Sequence, residues 1–263
     1  MCRRSTDTRA RRTIALIVAA ILFCPIAAAA QEVRAMVSGA FTEAYRQLVP
    51  EFERTTKYKV MSVFGASMGG APDSIPSRLD RGEPADVLIL ASTAVDDLIR
   101  QGKVVPGSRV DLVRSSIGMV VRAGARTPDI STVDALKRTL LEAKSIAYSA
   151  SASGTYLSTE LFPRLGVAEQ IRARSRRIES ERVAAVVARG EAEIGFQQIS
   201  ELLPVPGVDF VGPLPPGAQR ITVFSAGIVT RSTQHAAAKA LIDFFRTPRV
   251  RTVIEKSGLE PVK

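Results

Sequence analysis

A strand that ends in a serine-rich loop and opens a helix recurs along this chain, and this pattern restricts the folds available to it. It is densest in Ser145–Ser158, where the apolar segment Ser145–Tyr148 runs into alternating serines and alanines and then into the helical pattern Tyr156–Leu165. The first N–H groups of a helix have no partner within the helix and carry partial positive charge. With serine hydroxyls they can bind an anion, although one serine can also simply cap the helix.

The first three predicted strands end in the same way. Strands alternating with helices indicate an α/β fold with mainly parallel sheets, in which ligands bind beyond the carboxyl ends of the strands. The serine loops lie at those ends, so the pattern predicts an anion site there. The strands Val33–Val37, Lys59–Phe64 and Ala85–Leu90 lead into loops that contain Ser38, Ser67 and Ser92, respectively.

The first 30 residues have the three parts of a secretory signal peptide. Arginines between Arg3 and Arg12 form a basic start, Ile14–Ile26 is apolar, and Ala27–Ala30 offers small residues for cleavage. The apolar run is short for a membrane span. The Arg11–Arg12 pair also fits twin-arginine export, so both this route and the Sec route are open. We therefore expect export to the periplasm and no membrane insertion after the signal is removed.

Charge and cysteine content restrict the function further. Residues 1–30 hold both cysteines, five of the 36 basic and one of the 26 acidic residues, so the net charge falls from +10 to +6 without them. The mature chain is then expected to have no disulfide. A mildly basic protein attracts anions. Its basic residues are scattered and lack neighbouring aromatic side chains, so nucleic-acid binding is not indicated.

The patterns of common enzyme and metal sites are missing from the sequence. His235 is the only histidine, and it belongs to the predicted amphipathic helix Gln234–Phe245, where we interpret it as a surface residue. The glycine-rich stretch Gly65–Gly70 has neither a phosphate-loop lysine nor a dinucleotide-binding fingerprint. We expect no cofactor and no metal.

Several segments resemble those of periplasmic type II binding proteins, most closely the molybdate-binding subfamily of ABC transporters. Arg81–Ile89, read RGEPADVLI, resembles the GxPADV strand of that family. The order and spacing of the matches cover nearly the whole chain after residue 30. The other matching segments are Val37–Phe41, Phe64–Ser67, Val183–Gly195 and Gly258–Pro261.

The resemblance implies a two-lobed fold, with a ligand cleft between lobes joined by two crossing strands. The first lobe would be residues 31–108 plus 230–263, and the second lobe residues 109–229. It implies a monomeric periplasmic protein that captures a small anion, a molybdate-like oxyanion or a carboxylate, for an ABC permease. By the same resemblance, the anion contacts would be Ser38, Ser67 and the backbone near Ser92 in the first lobe, and Ser151, Ser153 and the backbone near Val183 in the second.

The chain departs from the family pattern at the ligand site. Molybdate binders have a tyrosine after the strand that is here Glu193–Phe196, whereas this chain has Gln197 and Gln198, of which Gln198 is a predicted ligand contact. A carboxylate ligand needs more room than a tetrahedral oxyanion and favours an arginine fork, for which Arg78 and Arg114 are candidates. These differences argue against molybdate as the ligand.

An enzyme on the same scaffold is the alternative. The chain also resembles the branch of this family that includes periplasmic aconitate isomerase, which moves a proton along an allylic system. Such a reaction needs a base near the ligand carbon and donors or cations on the carboxylates. Tyr156, Tyr148 and a carboxylate at the cleft are the candidate bases, and the sequence does not choose among them.

Overall fold

The computed structural model describes residues 31–262, which form two β-sheets with helices packed on their faces. The predicted signal peptide lies outside the described residues. The strands are β1 Gln31–Ser38, β2 Tyr58–Gly65, β3 Val87–Ala91, β4 Val110–Ser115, β5 Ile117–Arg122, β6 Ile146–Ser149, β7 Ser175–Ile178, β8 Ile194–Gln198, β9 Val208–Pro213, β10 Thr222–Ile228 and β11 Glu260–Pro261.

Helices follow most of the strands, as the alternating pattern predicts. None of the helices within residues 31–262 combines the length and the apolar character needed to cross a membrane. The α-helices are α1 Gly39–Thr55, α2 Ile75–Asp80, α3 Ser92–Arg100, α4 Val133–Glu142, α5 Ala152–Tyr156, α6 Phe162–Arg164, α7 Ala168–Ile171, α8 Val183–Ala188, α9 Ile199–Leu202, α10 His235–Phe244 and α11 Arg251–Lys256. A π-helical turn, Leu157–Leu161, connects α5 to α6, and short 3₁₀ turns cover Arg172–Arg174, Pro216–Ala218 and Pro248–Val250.

The first sheet has the strand order β11-β4-β10-β3-β1-β2 and is built around β3. Every residue of β3 is buried, as expected from its unbroken apolar run. Val87 and Ile89 join the core on one face of the sheet, whereas Leu88 and Leu90 join the core on the other face. Successive side chains of a strand point to opposite faces, so an all-apolar strand requires helices on both sides.

The second sheet has the order β7-β6-β8-β5-β9. β6 is parallel to β7 and β8, but β5 is antiparallel to β8 and β9. In the first sheet, β10 is likewise antiparallel to β3 and β4. Both sheets are therefore mixed, and the prediction of mainly parallel sheets is wrong. The chain passes between the sheets from β4 to β5 and from β9 to β10 without a helical crossover, so the linking strands join each sheet in the opposite direction.

These two connections between the sheets also mark the positions in the sequence at which the chain changes from one sheet to the other. The chain leaves the first sheet after Ser115 and returns to it at Thr222. The predicted lobe boundaries assigned residues 109–229 to the second lobe, but β4 and β10 pair within the first sheet. β4 was not predicted because its sequence VDLVRS interrupts the apolar residues with charges.

The basic segment Arg172–Arg177 has the composition of a solvated helix face followed by a turn. The structure instead gives a short 3₁₀ turn and then β7, which pairs with β6 in parallel. β7 lies at the edge of the sheet, and only one of its residues, Ile178, is buried. Because the other three are a serine and two arginines, the sequence shows no alternation of apolar and polar residues that would predict a strand.

Candidate functional site

A cavity of about 260 Å³ lies between the two sheets, at the carboxyl ends of strands from both. Ser38 and Gly65 end β1 and β2 of the first sheet, and both line the cavity. Ser149, Ile178 and Gln198 end β6, β7 and β8 of the second sheet and line it from the other side. This is the edge at which an α/β pattern places ligand sites.

Ser38 places a hydroxyl at the first turn of the long helix α1. It is the N-cap residue and has an extended backbone, with φ −76° and ψ 158°, but its side chain makes no capping bond. The residue is 2% exposed, and its Oγ has no hydrogen-bond partner within residues 31–262. Gly39 and Ala40 also line the cavity. The Ser38 hydroxyl and the first-turn N–H groups can therefore donate to an anion.

The end of β6 and the turn after it bring three serines to the cavity from the second sheet. Ser149 Oγ and Ser153 Oγ are hydrogen-bonded at 3.0 Å, and Ser151 is the N-cap of α5 without a side-chain capping bond. All three line the cavity. The turn is so tight that a Cβ at Gly154 would lie 1.6 Å from the carbonyl oxygen of Ser149, so only glycine fits at this position.

Gln198 reaches the cavity from the end of β8 and is 2% exposed. Its Nε2 donates to Thr222 Oγ1 at 3.1 Å, while its Oε1 has no partner among the described residues. A threonine hydroxyl can donate or accept, so the amide can turn and offer Nε2 to a ligand instead. Gln198, a predicted ligand contact, therefore has one polar atom of its amide available to bind a ligand.

Glu201, on α9, is a buried carboxyl group in the cavity wall that the sequence analysis did not single out. Its Oε1 accepts a hydrogen bond from Gln197 Nε2 at 2.9 Å, and Gln197 Oε1 accepts one from Val183 N–H at 2.9 Å. A backbone N–H can only donate, so this pair of bonds fixes the direction of the Gln197 amide. A Cβ at Gly39 would lie 2.0 Å from Glu201 Oε1, so the carboxyl group lies against the first turn of α1.

Burial raises the pKa of Glu201 from 4.5 to about 7. The positive charge of Arg182 and the hydrogen bond from Gln197 lower the pKa but offset the effect of burial only in part. Both the protonated and the ionised form are then populated near neutral pH. A carboxyl group with this pKa in a cavity wall is typical of acid–base chemistry.

Two arginines line the cavity from opposite sides, one from each sheet's half of the chain. No sequence motif had identified them. Arg46 comes from α1, and its guanidinium carbon lies 4.6 Å from the centroid of the Phe64 ring. Arg182 is the N-cap residue of α8. Guanidinium groups suit carboxylates because their donors form a planar fork. A ligand with several carboxylates can contact both arginines.

The predicted arginine fork at Arg78 or Arg114 is not formed in this structure. Arg78 Nε donates to the Asp73 carbonyl oxygen at 3.1 Å, and Arg78 Nη1 is paired with Glu83 at 2.8 Å. Arg114 is exposed and borders a separate groove beside Arg251. Neither belongs to the cavity wall. Arg78 holds the loop that carries Asp73 into the wall.

Ser67 and Val183 lie behind the cavity wall rather than in it. Ser67 is fully buried, and its Oγ accepts the N–H of Ala91 at 2.9 Å. The N–H of Val183 is bonded to Gln197. These polar groups are therefore engaged within the protein, and their contribution in this structure is to position neighbouring residues.

Other residues considered from the sequence also lie away from the cavity wall. Ser92 begins α3, at the end of β3. Tyr156 is buried in the core of the second sheet, where its hydroxyl donates to the Ala218 carbonyl oxygen at 3.0 Å. His235 is exposed at the start of α10. Within residues 31–262, no three His, Cys, Asp or Glu side chains are grouped to hold a metal ion.

The loops that follow β2 and β7 meet beside the cavity and join the two sheets. Ser180 Oγ donates to Asp73 Oδ1 at 2.9 Å, and both residues line the cavity. A Cβ at Gly69 would lie 3.3 Å from the carbonyl oxygen of Ala150, which belongs to the second sheet's loop. These contacts bring the loops of the two sheets together beside the cavity.

The comparisons with known proteins agree on the fold, but the relatives that they find are named for two different activities. A family model described as bacterial extracellular solute-binding protein matches residues 33–260. An aconitate isomerase from Pseudomonas sp. is 48% identical over 225 residues, which is 86% of each chain. The molybdate-binding protein ModA of Azotobacter vinelandii is 28% identical and covers 94% of this chain and 96% of its own length.

A solved structure agrees with the two-sheet architecture. The periplasmic molybdate-binding protein of Azotobacter vinelandii superimposes with a TM-score of 0.69 at 20% identity, covering 88% of this chain and 100% of that one. At this identity, the likeness speaks for the fold alone. The predicted type II periplasmic binding protein fold is confirmed.

Proposed function

The chain belongs to the bacterial extracellular solute-binding protein family, as its sequence resemblance predicted, and within this family we propose that it is an aconitate isomerase. It would bind a small tricarboxylate in the cavity between its sheets and interconvert trans- and cis-aconitate. The observation that carries this proposal is the 48% identity, over 86% of both chains, to a protein named aconitate isomerase.

The chemistry of the cavity supports a carboxylate ligand. Hydroxyl donors come from Ser38 on one side and Ser151 on the other, and Arg46 and Arg182 add positive charge from both sheets. A tetrahedral oxyanion is small and is satisfied by a tight cage of neutral donors. An anion with three separated carboxylates needs several charged contacts at a distance from one another.

The isomerisation needs no cofactor. A proton leaves the methylene carbon beside the double bond, and a proton is returned to the other end of the allylic system, so the double bond moves. The arginines and hydroxyls would hold the carboxylates and stabilise the negative charge that develops on them. The bond between Asp73 and Ser180 would keep the two sheets together around the ligand and exclude water.

A second candidate function is that of a receptor that captures an anion for an ABC importer. It is favoured by the relatives named molybdate-binding protein ModA, which match nearly the whole chain at 28% and 26% identity. A receptor needs the same cavity donors but no proton transfer. In this case, Gln198 would stand where molybdate binders place a tyrosine.

The cellular setting proposed with both functions is the same. Residues 1–30 would direct export to the periplasm, where the mature chain would act as a monomer. An ABC permease is a partner only under the receptor hypothesis. The family is described as extracellular, which supports export.

A thermal-shift screen and an NMR time course on the purified protein test the proposal. Molybdate, sulfate, citrate and both aconitates are compared, because a ligand that binds only the folded state raises the melting temperature. We expect a shift with the tricarboxylates and conversion of trans-aconitate to a mixture with the cis isomer. A shift with molybdate alone, without conversion, would reject the isomerase in favour of the receptor.

Arginine variants test whether this cavity is the site. Arg46→Ala and Arg182→Ala should each weaken trans-aconitate binding by about 10- to 100-fold, since a hydrogen bond to a charged group contributes about 1.5–3 kcal/mol. Arg114→Ala is the matched control, because it removes the same charge from an exposed residue outside the cavity wall. Equal affinity losses in all three variants would point to a general effect of charge.

A further inference from the structure

Four carboxyl groups line the cavity, and one of them differs from the rest in its surroundings. Glu201 is 9% exposed. The other three bond to side chains at the rim: Asp73 to Ser180 at 2.9 Å, Glu179 to Arg177 at 3.6 Å, and Glu181 to Arg189 at 2.9 and 3.0 Å. Glu179 and Glu181 are therefore paired with arginines, and the Asp73 carboxylate accepts a hydrogen bond from a neutral hydroxyl.

We propose that Glu201 is the group that takes the proton from the methylene carbon of the substrate and returns it to the other end of the allylic system. This inference rests on the proposed isomerase function. In the forward step, a C–H bond breaks, its proton forms an O–H bond with the Glu201 carboxylate, and the electron pair spreads over the allylic system and its carboxylates. In the second step, the proton passes from Glu201 to the former vinyl carbon, and the carboxylate is restored.

The hydrogen bonds of Glu201 leave one oxygen for this transfer. Oε1 is held by Gln197 Nε2, which is itself oriented by the N–H of Val183. Oε2 makes no hydrogen bond within residues 31–262, and Glu201 lines the cavity. The carboxyl group is therefore fixed at one oxygen and available at the other.

The groups around Glu201 allow it to change its protonation state during the reaction. Burial favours the neutral acid, whereas Arg182 at the start of α8, the amide of Gln197 on β8 and the partly positive first turn of α1 favour the carboxylate. Arg46 is a further cation in the cavity wall. A group balanced in this way can act as base in one step and as acid in the next.

The tyrosines considered from the sequence are poorly placed for this role. The Tyr156 hydroxyl donates to the Ala218 carbonyl oxygen and lies in the core of the second sheet. Tyr148 packs edge-on against Phe162, with ring centroids 5.8 Å apart, and is not part of the cavity wall.

The variant Glu201→Gln tests the proposal because it keeps the shape and one acceptor but cannot take up a proton. The full protein is incubated with trans-aconitate in D₂O, and NMR follows both isomerisation and deuterium uptake at the methylene carbon. We expect kcat and the exchange rate to fall by about 10²- to 10⁴-fold, the usual contribution of acid–base catalysis, while the calorimetric Kd for trans-aconitate changes only a few-fold. Glu169→Gln, at a residue exposed on α7, is the control and should keep full activity.

The outcomes separate this inference from the proposed function. If the wild type converts trans-aconitate and Glu201→Gln keeps kcat and exchange within about twofold of it, Glu201 is not the proton-transfer group and the isomerase assignment stands. Loss of binding together with activity in this variant would also overturn the inference, since it would show a binding role. If the wild type neither converts nor exchanges the substrate, both proposals fall.

Discussion

The buried carboxyl group of Glu201 should make the stability of the folded protein decrease with pH. Its pKa is about 7 in the folded state and 4.5 without burial, so the native state holds this proton more tightly than the unfolded state. Stability from this group is then fully present below the unfolded pKa and is lost as the pH rises through the folded pKa. The window is therefore from about 4.5 to about 7.

The magnitude follows from the difference between the two pKa values. Each pKa unit corresponds to about 1.36 kcal/mol, so the full change is roughly 3 kcal/mol. Glu201→Gln carries no proton to lose. The free energy of unfolding of this variant, relative to the wild type, should therefore rise by roughly 3 kcal/mol between pH about 4 and pH about 8.

Urea unfolding of both proteins across this pH range, followed by circular dichroism, measures the difference. Glu169→Gln is again the control, because the Glu169 side chain is 76% exposed and its difference from the wild type should stay within about 0.5 kcal/mol. A Glu201→Gln difference that is constant with pH would refute the reasoning, since it would mean that Glu201 has the same pKa in the folded and unfolded chain.

Three further substitutions test how the cavity wall is built. Ser38→Ala removes a hydroxyl that has no hydrogen-bond partner in the described part of the chain, so calorimetry should show about a two- to tenfold weaker trans-aconitate Kd with an almost unchanged melting temperature. Ser67→Ala should do the reverse, costing about 1–3 kcal/mol in urea unfolding by removing the acceptor of the Ala91 N–H while the Kd stays near that of the wild type. Gly154→Ala should cost at least about 1–3 kcal/mol, as for other overpacked sites, because its Cβ would meet the Ser149 carbonyl oxygen at 1.6 Å; unchanged stability would mean that the turn is looser than described.

The fold was largely predictable because its central elements are local patterns. β3 is a run of apolar residues that requires cover on both faces, and the helical period of α1 is visible in its buried residues. The linking strands β4 and β10 were not assigned to the first sheet from sequence. Their placement depends on pairing with residues more than 100 positions away, such as Thr222 with Ser115, and no local pattern records such a pairing.

The site was predictable in type but less so in its residues. Ser38, Ser151 and Ser153 line the cavity, as a strand–loop–helix corner suggests. Ser67 has the same local sequence context, yet its hydroxyl accepts the Ala91 N–H instead of facing the cavity. The packing of the folded chain determines this orientation, and the local sequence does not record it. Glu201 could have been noticed as a lone acidic residue just after a buried strand, but its burial depends on the approach of α1 from the other sheet.

The position of Glu201 explains how a binding-protein fold can support an isomerisation. Glu201 belongs to the second sheet's half of the chain, but its carboxyl group is desolvated by lying against Gly39 at the first turn of α1, which follows a strand of the first sheet. Separation of the sheets would expose the group to water and return its pKa toward 4.5, where it is a weak base. The same closure that surrounds a ligand therefore prepares the carboxylate for proton transfer. A Cβ at position 39 would force the Glu201 carboxyl group to move, because it would lie 2.0 Å from Oε1. For this reason, Gly39→Ala should reduce turnover more than it reduces ligand affinity, which steady-state kinetics and calorimetry on the same variant can compare. A loss of affinity without a further loss of turnover would contradict this argument, because it would show that position 39 acts on ligand binding alone.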